Sequence, residues 1–325
     1  MTKTRLAALV FLALLLTGAA ALWRLHDLYV SPGPAAEPTR VLIPRGSGAE
    51  AIADLLAESG AIASSWAFLA GARWDGNLAR LKAGEYSIPA RASAREVAAL
   101  IASGRVFVRR VTLVEGHTSA QIAAILRGLE GAEGEITPPA EGSLLPDTYF
   151  YVWGEPRARI LERAARAQRE LLAELWPKRA PDLPLRTQEE ALVLASIVER
   201  ETGHADERAR VAAVFVNRLR IGMRLQADPT VAYGVDPSGP LGRPLSRADL
   251  DNRHAWNTYV HAGLPPTPIA HPGRASIEAV LNPPRTDEFY FVADGDGRHL
   301  FARTLAEHNR NVARLREIER ARGAR

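Results

Sequence analysis

From Leu6 to Trp23 the chain carries no charge, and this apolar run of about 18 residues is close to the shortest that crosses a hydrocarbon core as a helix. Lys3 and Arg5 precede it and Arg24 closes it. Basic residues ahead of the span place the N-terminus in the cytoplasm and leave roughly 300 residues outside. A cleaved signal peptide competes, with Ala19-Ala20-Ala21 as a small-residue cleavage site. Leu22 and Trp23 carry the apolar run past that site, and Trp suits the membrane interface, which favours an uncleaved anchor. Ser31-Pro-Gly-Pro-Ala-Ala-Glu-Pro38 then reads as an extended linker, because its prolines forbid helix.

Beyond the linker the apolar positions become periodic. Val41 to Gly46 predicts a strand and turn. Ala49 to Ser59 predicts a helix with Ile52, Leu55 and Leu56 on one face, stopped by Gly60. Ala83 to Ile88 predicts a strand, Ser93 caps a helix burying Val97, Leu100 and Ile101, and Gly104 ends it. Val106 to Leu113 is the clearest strand by β-branched content. Thr118 or Ser119 caps the next helix, with Ile122, Ile125 and Leu126 buried, and residues 128–140 form a Gly/Glu/Pro-rich loop. Glu155 to Trp176 predicts an amphipathic scaffold helix with Ile160, Ala164, Ala167 and Leu171 on its apolar side.

Thr187 caps a helix that is apolar nearly all round through Ala191–Val198 and therefore belongs in a core. Asp206 to Arg220 follows, burying Val211, Val214, Phe215 and Leu219. Gly263-Leu-Pro-Pro-Thr-Pro-Ile269 is rigid extended chain suited to walling a cleft. Residues 289–293 and 299–302 flank Asp294-Gly-Asp-Gly297 as a hairpin, and Thr304 to Arg325 reads as a charged amphipathic helix.

Composition narrows the possibilities. With 325 residues, 47% of them hydrophobic, there is room for a sizeable core and two domains. The absence of cysteine removes disulfides, a thiolate nucleophile, Cys-ligated zinc and a lipid-bearing Cys. A net charge of +4 favours an anionic membrane face or polymer, and no basic run with interleaved aromatics points to nucleic acid.

The candidate chemistry lies between Ser196 and Gly234. At about 100° per residue, Glu201 continues the stripe of Leu194, Ile197 and Val198, whereas Glu199 falls with Leu192 and Ala195. The two carboxylates therefore point apart. Desolvation on the stripe and the negative end of the helix dipole both raise the pKa of Glu201, which suits a general acid. The plainer alternative is a solvated helix-end Glu balanced by Arg208 at i, i+7. Asn217 falls with Arg210 and Arg220, so helical geometry alone calls it solvated. Gln226, Asp228 and Thr230 share a short turn and are the residue types that bond sugar hydroxyl and acetamido groups. Asp147 reads as a turn cap before Tyr149, and His299 and His308 as structural. His204-Ala-Asp-Glu-Arg208 lacks the second His of a zinc motif, and no Gly-x-Ser-x-Gly elbow occurs.

Two resemblances sharpen this. Strand, helix, helix and strand over about 70 residues resembles a LysM-type module, either binding N-acetylglucosamine polymers or serving as a spacer. The segments Ala195-Ser-Ile-Val-Glu-Arg-Glu-Thr202, Val214-Phe-Val-Asn-Arg-Leu219 through Leu225-Gln-Ala-Asp-Pro-Thr230 to Gly234, Asn257-Thr-Tyr259, Gly263–Ile269, Tyr290-Phe-Val-Ala293 and Glu307-His-Asn309 together resemble the endolytic murein transglycosylases, the YceG-like family.

That resemblance implies a single-pass inner-membrane enzyme. It would cut nascent peptidoglycan strands on the periplasmic side between N-acetylmuramic acid and N-acetylglucosamine, beside the synthases that make them. It implies Glu201 as the catalytic acid/base and Glu141, Asn217, Gln226, Asp228, Thr230, Asn257 and Tyr259 as glycan-binding residues, with no cofactor and no metal. One departure stands out: Ser143 and Leu145 replace aromatic residues of the family's pattern, so Tyr149 or a Trp would have to stack on the sugar. A hydrolytic muramidase and a non-catalytic wall-binding scaffold are the competing functions.

The expected architecture is α+β. Residues 1–24 form the cytoplasmic stub and transmembrane helix, 25–39 the linker, 40–108 a small LysM-like α/β module, and 109–325 a mixed α+β catalytic domain.

Overall fold

The computed structural model describes residues 3–323, so the expected helical end at Arg325 lies outside the described residues. The chain forms two compact units, residues 1–109 with 151–155, and residues 110–150 with 156–325.

The first unit opens with α1 (Lys3–Val30), whose window Arg5–Val30 is long and apolar enough to cross a membrane. The helix does not end at Arg24, where the charge suggested a stop. It continues through Leu25 to Val30, and Tyr29 is buried. Gly71 makes this possible, since a Cβ there would lie 2.3 Å from the Tyr29 ring. The following Pro-rich segment, free of helix as its prolines predict, is tied to the first unit: Gly33 donates to the Arg91 carbonyl at 3.1 Å, and Arg91 donates to that of Ala35 at 2.8 Å.

Strand β1 (Thr39–Ile43) leads to α2 (Ala49–Glu58) and α3 (Ser65–Trp74), then β2 (Gly84–Ile88) and α4 (Ala94–Ser103). Helix α3 had no place in the sequence pattern. Its exposed Trp66 and Trp74 blur the apolar face formed by Ala67, Phe68 and Ala72. β1 and β2 pair antiparallel with Val41 opposite Tyr86. Their inner faces meet Ile52, Leu56, Phe68, Val97 and Ile101 in one core. Ser93 and Glu96 form a reciprocal capping box, and Gly104, at φ +74°, closes α4.

β3 (Arg109–Thr112), shorter than the 106–113 expected, pairs with β4 (Thr148–Tyr151), and α5 (Ser119–Arg127) of the second unit lies between them in sequence. Helix α6 (Arg157–Leu175) buries Ile160, Ala164 and Leu171 as expected, with Gln168 rather than Ala167 completing the face. The centre is α7 (Gln188–Glu201), capped by the Thr187 side chain, packed with α8 (Ala205–Arg220). Then come α9 (Asp228–Val235), α10 (Arg247–Asp251) and α11 (Arg274–Leu281), the last resting on both α7 and α8. Strands β5 (Tyr290–Ala293) and β6 (His299–Ala302) form the expected antiparallel hairpin, and α12 (Leu305–Gly323) follows.

Leu194, Ile197, Val198, Val211, Phe215, Ile277 and Val280 share the core. Phe215 also meets Phe291 of β5 edge-on, with centroids 5.6 Å apart. Phe215→Ala should therefore destabilise the protein by ~3–5 kcal/mol, whereas Ile221→Ala, on an exposed residue, should change it by less than ~0.5 kcal/mol. Chemical denaturation of both variants checks the contrast.

Candidate active site

The last turn of α7 delivers Glu201 to a cavity of about 540 Å³. Arg218 comes from α8, Gln226 and Asp228 from the entry to α9, Tyr259 from the loop after α10, and Tyr290 and His299 from the hairpin. His308 and Asn309 of α12 complete the wall. Glu201 reaches it because α7 is buried along Leu194, Ile197 and Val198, so the residue continuing that stripe leaves the core only at the cavity.

This placement controls its protonation. Burial pushes the Glu201 carboxyl up from 4.5 to about 8, the negative charge of Asp228 adds to the rise, and the Arg218 cation opposes it. At neutral pH the group is mostly a neutral acid.

Glu199 points away from the cavity into a different set of partners. Its carboxylate accepts from the Gly273 backbone N–H at 2.9 Å and lies 3.5 Å from the Arg208 guanidinium. Arg208, weighed from the sequence as a partner for Glu201, thus serves Glu199.

Arg218 is the cation beside Glu201 and is only 6% exposed. Its Nε donates to the Phe289 carbonyl at 2.6 Å, and one terminal nitrogen donates to that of Leu225. Both bonds fix the guanidinium to the hairpin and the α8–α9 connection. The Tyr259 hydroxyl donates to Asp228 at 2.6 Å, and that carboxylate together with burial pushes the phenol well above its ordinary range. Gln226 holds a left-handed backbone, φ +50°, unusual for a residue with a Cβ, while its N–H donates to the Thr258 carbonyl. The segment read as a short turn proves to be a helix start, with Asp228 in the first turn of α9 and Pro229 beside it.

Four of the eight predicted site residues, Glu201, Gln226, Asp228 and Tyr259, therefore meet on one cavity. The other four lie elsewhere. Asn217 is neither solvated nor on the cavity: it is buried, and its amide donates to the carbonyls of Thr286 and Glu288 at 2.8 and 3.0 Å. Thr230 is fully buried, bonding the Ala227 carbonyl and the Thr258 hydroxyl. Asn257, equally buried, donates to the Leu250 and Asn252 carbonyls and accepts from the Tyr259 N–H. These three build the frame of the cavity. Glu141 joins a separate cluster, accepting from the Ser119 N–H at 3.0 Å and the Tyr233 hydroxyl at 3.3 Å. Burial raises its pKa.

The Pro-rich stretch 263–269 also lies off this cavity, with Ile269 buried in the core and its N–H bonded to the Ser196 hydroxyl. Tyr149 donates to the Leu145 carbonyl instead of facing the cavity. The aromatic surfaces on the cavity are Tyr259, Tyr290 and Phe291.

Of the other residues on the cavity, sequence reasoning passed over Arg218, quoted Tyr290 only within the family resemblance, and read His299 and His308 as structural. A signal existed for Arg218, which lies seven residues after Val211 and four after Val214 on the apolar stripe of α8; a lone cation there has to be held internally. His308 stacks on Tyr290 with centroids 5.2 Å apart, and burial together with Arg218 lowers its pKa. His299 donates its backbone N–H to Glu207, and its Nδ1 lies 2.8 Å from the same carboxylate. Among the described residues no three His, Asp or Glu side chains gather to hold a metal ion.

A polar cavity built round one buried acid fits a carbohydrate acid/base enzyme, and comparison with known proteins agrees. Residues 41–314 match the YceG-like family, and the chain belongs to it. It is 29% identical over 300 residues to the endolytic murein transglycosylase of Bacillus subtilis strain 168, covering 82% of each chain. The endolytic murein transglycosylase of Streptococcus pneumoniae strain D39 is 27% identical over 94% of this chain, which spans 64% of that protein. Among solved structures, a YceG-like protein from Listeria monocytogenes superposes with a TM-score of 0.53 at 27% identity, covering 85% of this chain and 99% of that one.

The raised pKa has a measurable consequence for stability. Between about 4.5 and about 8 the folded state holds a proton on Glu201 that the unfolded chain has released, so stability falls as pH rises through this window. Denaturant titrations across it should show the native protein losing stability relative to Glu201→Gln, most steeply near the middle of the window at about pH 6 and levelling off above about pH 8. Parallel curves would remove the buried acid.

Proposed function

We propose that this chain is a single-pass, membrane-anchored lytic transglycosylase that cuts nascent peptidoglycan strands internally on the periplasmic side of the inner membrane, with Glu201 as its acid/base. The observation that carries the reading is the Glu201 carboxyl, desolvated where it meets a polar, aromatic-lined cavity. Names and coverage of the relatives support the reaction class. The apolar window in α1 supports the anchor, and Lys3 and Arg5 ahead of it support the orientation.

The chemistry needs one carboxyl. Glu201 in its neutral form gives its proton to the glycosidic oxygen between N-acetylmuramic acid and N-acetylglucosamine as the bond to C1 breaks. The muramyl 6-hydroxyl oxygen forms the new bond to C1 and surrenders its proton to the Glu201 carboxylate. The result is a 1,6-anhydro end, a free N-acetylglucosamine 4-hydroxyl and a reprotonated acid, with no water consumed. Arg218 stabilises the transient carboxylate, and Asp228, held by Tyr259, faces the positive charge that develops at the sugar ring. Gln226 and the aromatic faces of Tyr259 and Tyr290 orient the sugars. In this reading Asn217, Thr230 and Asn257 act on glycan binding through the walls they hold, and Glu141 lines a further stretch of the strand. The order β1, α2, α3, β2 supports a LysM-like module over residues 40–108, with residues 109–325 as the catalytic part. Synthases that extrude the strands are the natural neighbours of such an enzyme.

A second reading has one observation in its favour: Asp228 shares the cavity with Glu201, as a hydrolytic muramidase would require. Product mass separates the two, because hydrolysis yields ends about 18 Da heavier than anhydro ends. Digestion of purified murein sacculi should give anhydro-muropeptides with the native enzyme and a loss of ~10²–10⁴-fold with Glu201→Gln. Hydrated ends as the main product, or equal yield from the variant, would overturn the reaction or the residue respectively.

A further inference from the structure

Within the first unit, a trough of about 410 Å³ runs between the end of α1 and helices α3 and α4. Leu22, Leu25 and Tyr29 form one side and Ala70, Gly71 and Trp74 the other, with Asp75 and Arg95 at the rim. Trp74 is 91% exposed, an unusual position for so large an apolar side chain.

Its depth follows from its neighbours. A hydrocarbon core of ~30 Å takes about 20 helical residues, which counted from Leu6 ends at Leu25. With Trp23 and Arg24 between them, Leu22 and Leu25 belong to the turn where α1 leaves the hydrocarbon core, and Trp74, lining the same trough, stands at the level of the interface that Trp side chains favour. The attachment is specific. The Tyr29 ring rests on Gly71, its hydroxyl donates to Asp75 at 3.1 Å, and Arg95 donates to the same carboxylate oxygen at 2.9 Å.

We propose that this trough is a phospholipid site at the outer surface of the membrane. One acyl chain lies along Leu22, Leu25 and Trp74, and the phosphate faces the guanidinium of Arg95, which is 61% exposed and keeps its Nε on Asp75. The inference rests on α1 being a membrane span. It extends that reading by making α3 a second, interfacial contact, which holds the first folded unit against the bilayer instead of leaving it on a tether.

The chain contains no cysteine, so single labels are unambiguous. Nitroxides placed on Trp74→Cys and, as a reference, on exposed Glu58→Cys of α2 would be compared in the full chain, reconstituted in vesicles of phosphatidylethanolamine and phosphatidylglycerol. The label at position 74 should collide with oxygen and be shielded several-fold from a water-soluble nickel chelate, while the label at 58 shows the reverse. Equal nickel access at both positions overturns the lipid site. So does shielding of position 74 from both reagents with spin–spin broadening, which would place a second copy in the trough. Flotation of the same vesicles after an alkaline wash tests the span separately: protein that floats with position 74 in water refutes only the lipid site, and protein that does not float refutes the anchor.

Discussion

Everything about the candidate site depends on burying one carboxyl at the end of an apolar helix. Helix α7 is enclosed by α8 and α11, so the chain cannot turn Glu201 toward bulk water without exposing Leu194, Ile197 and Val198. Core packing thereby does chemical work: the same enclosure that stabilises the fold withholds the solvation a carboxylate needs, and the proton stays on. The two charged neighbours act in opposite directions, Asp228 reinforcing the protonated form and Arg218 limiting the rise. In the proposed reaction, a site with only the first would hold its proton too tightly to act as a base in the second half of the cycle.

Polar residues around the cavity divide by what their hydrogen bonds are spent on. Thr230 bonds the Ala227 carbonyl just before α9, Asn257 bonds the Leu250 carbonyl at the end of α10, and Asn217 clasps the extended segment leading to the hairpin. Their bonds fix where Gln226, Asp228 and Tyr259 stand. Gln226 keeps a strained backbone because the Thr258 carbonyl holds its N–H. Those three side chains, with Glu201 and Arg218, line the cavity.

Much of this was legible in the sequence, for identifiable reasons. Periodicity located α7 and α8, capping chemistry marked Ser93, Thr118 and Thr187, and the Asp-Gly-Asp-Gly turn announced the hairpin. Stripe geometry alone set Glu201 apart from Glu199, because both face directions on one rigid helix. It failed wherever a tertiary partner decides. Asn217 lies on the polar side of α8, and only the returning chain at Thr286–Glu288 makes that side an interior. Arg218 on the apolar side needed carbonyl partners from the connection after α8 and from Phe289, far along the chain. Helix α3 was hidden because its apolar residues face both the core and the end of α1. The helical end of α1 outran its charge boundary because Tyr29 has a glycine to rest on.

The most direct measurement is the titration of the Glu201 side-chain carbonyl by ¹³C NMR, assigned by its disappearance in Glu201→Gln. A midpoint near pH 8 is the result the buried-acid account predicts. A midpoint near the ordinary 4.5 would show a solvated, ionised carboxylate at neutral pH and contradict it.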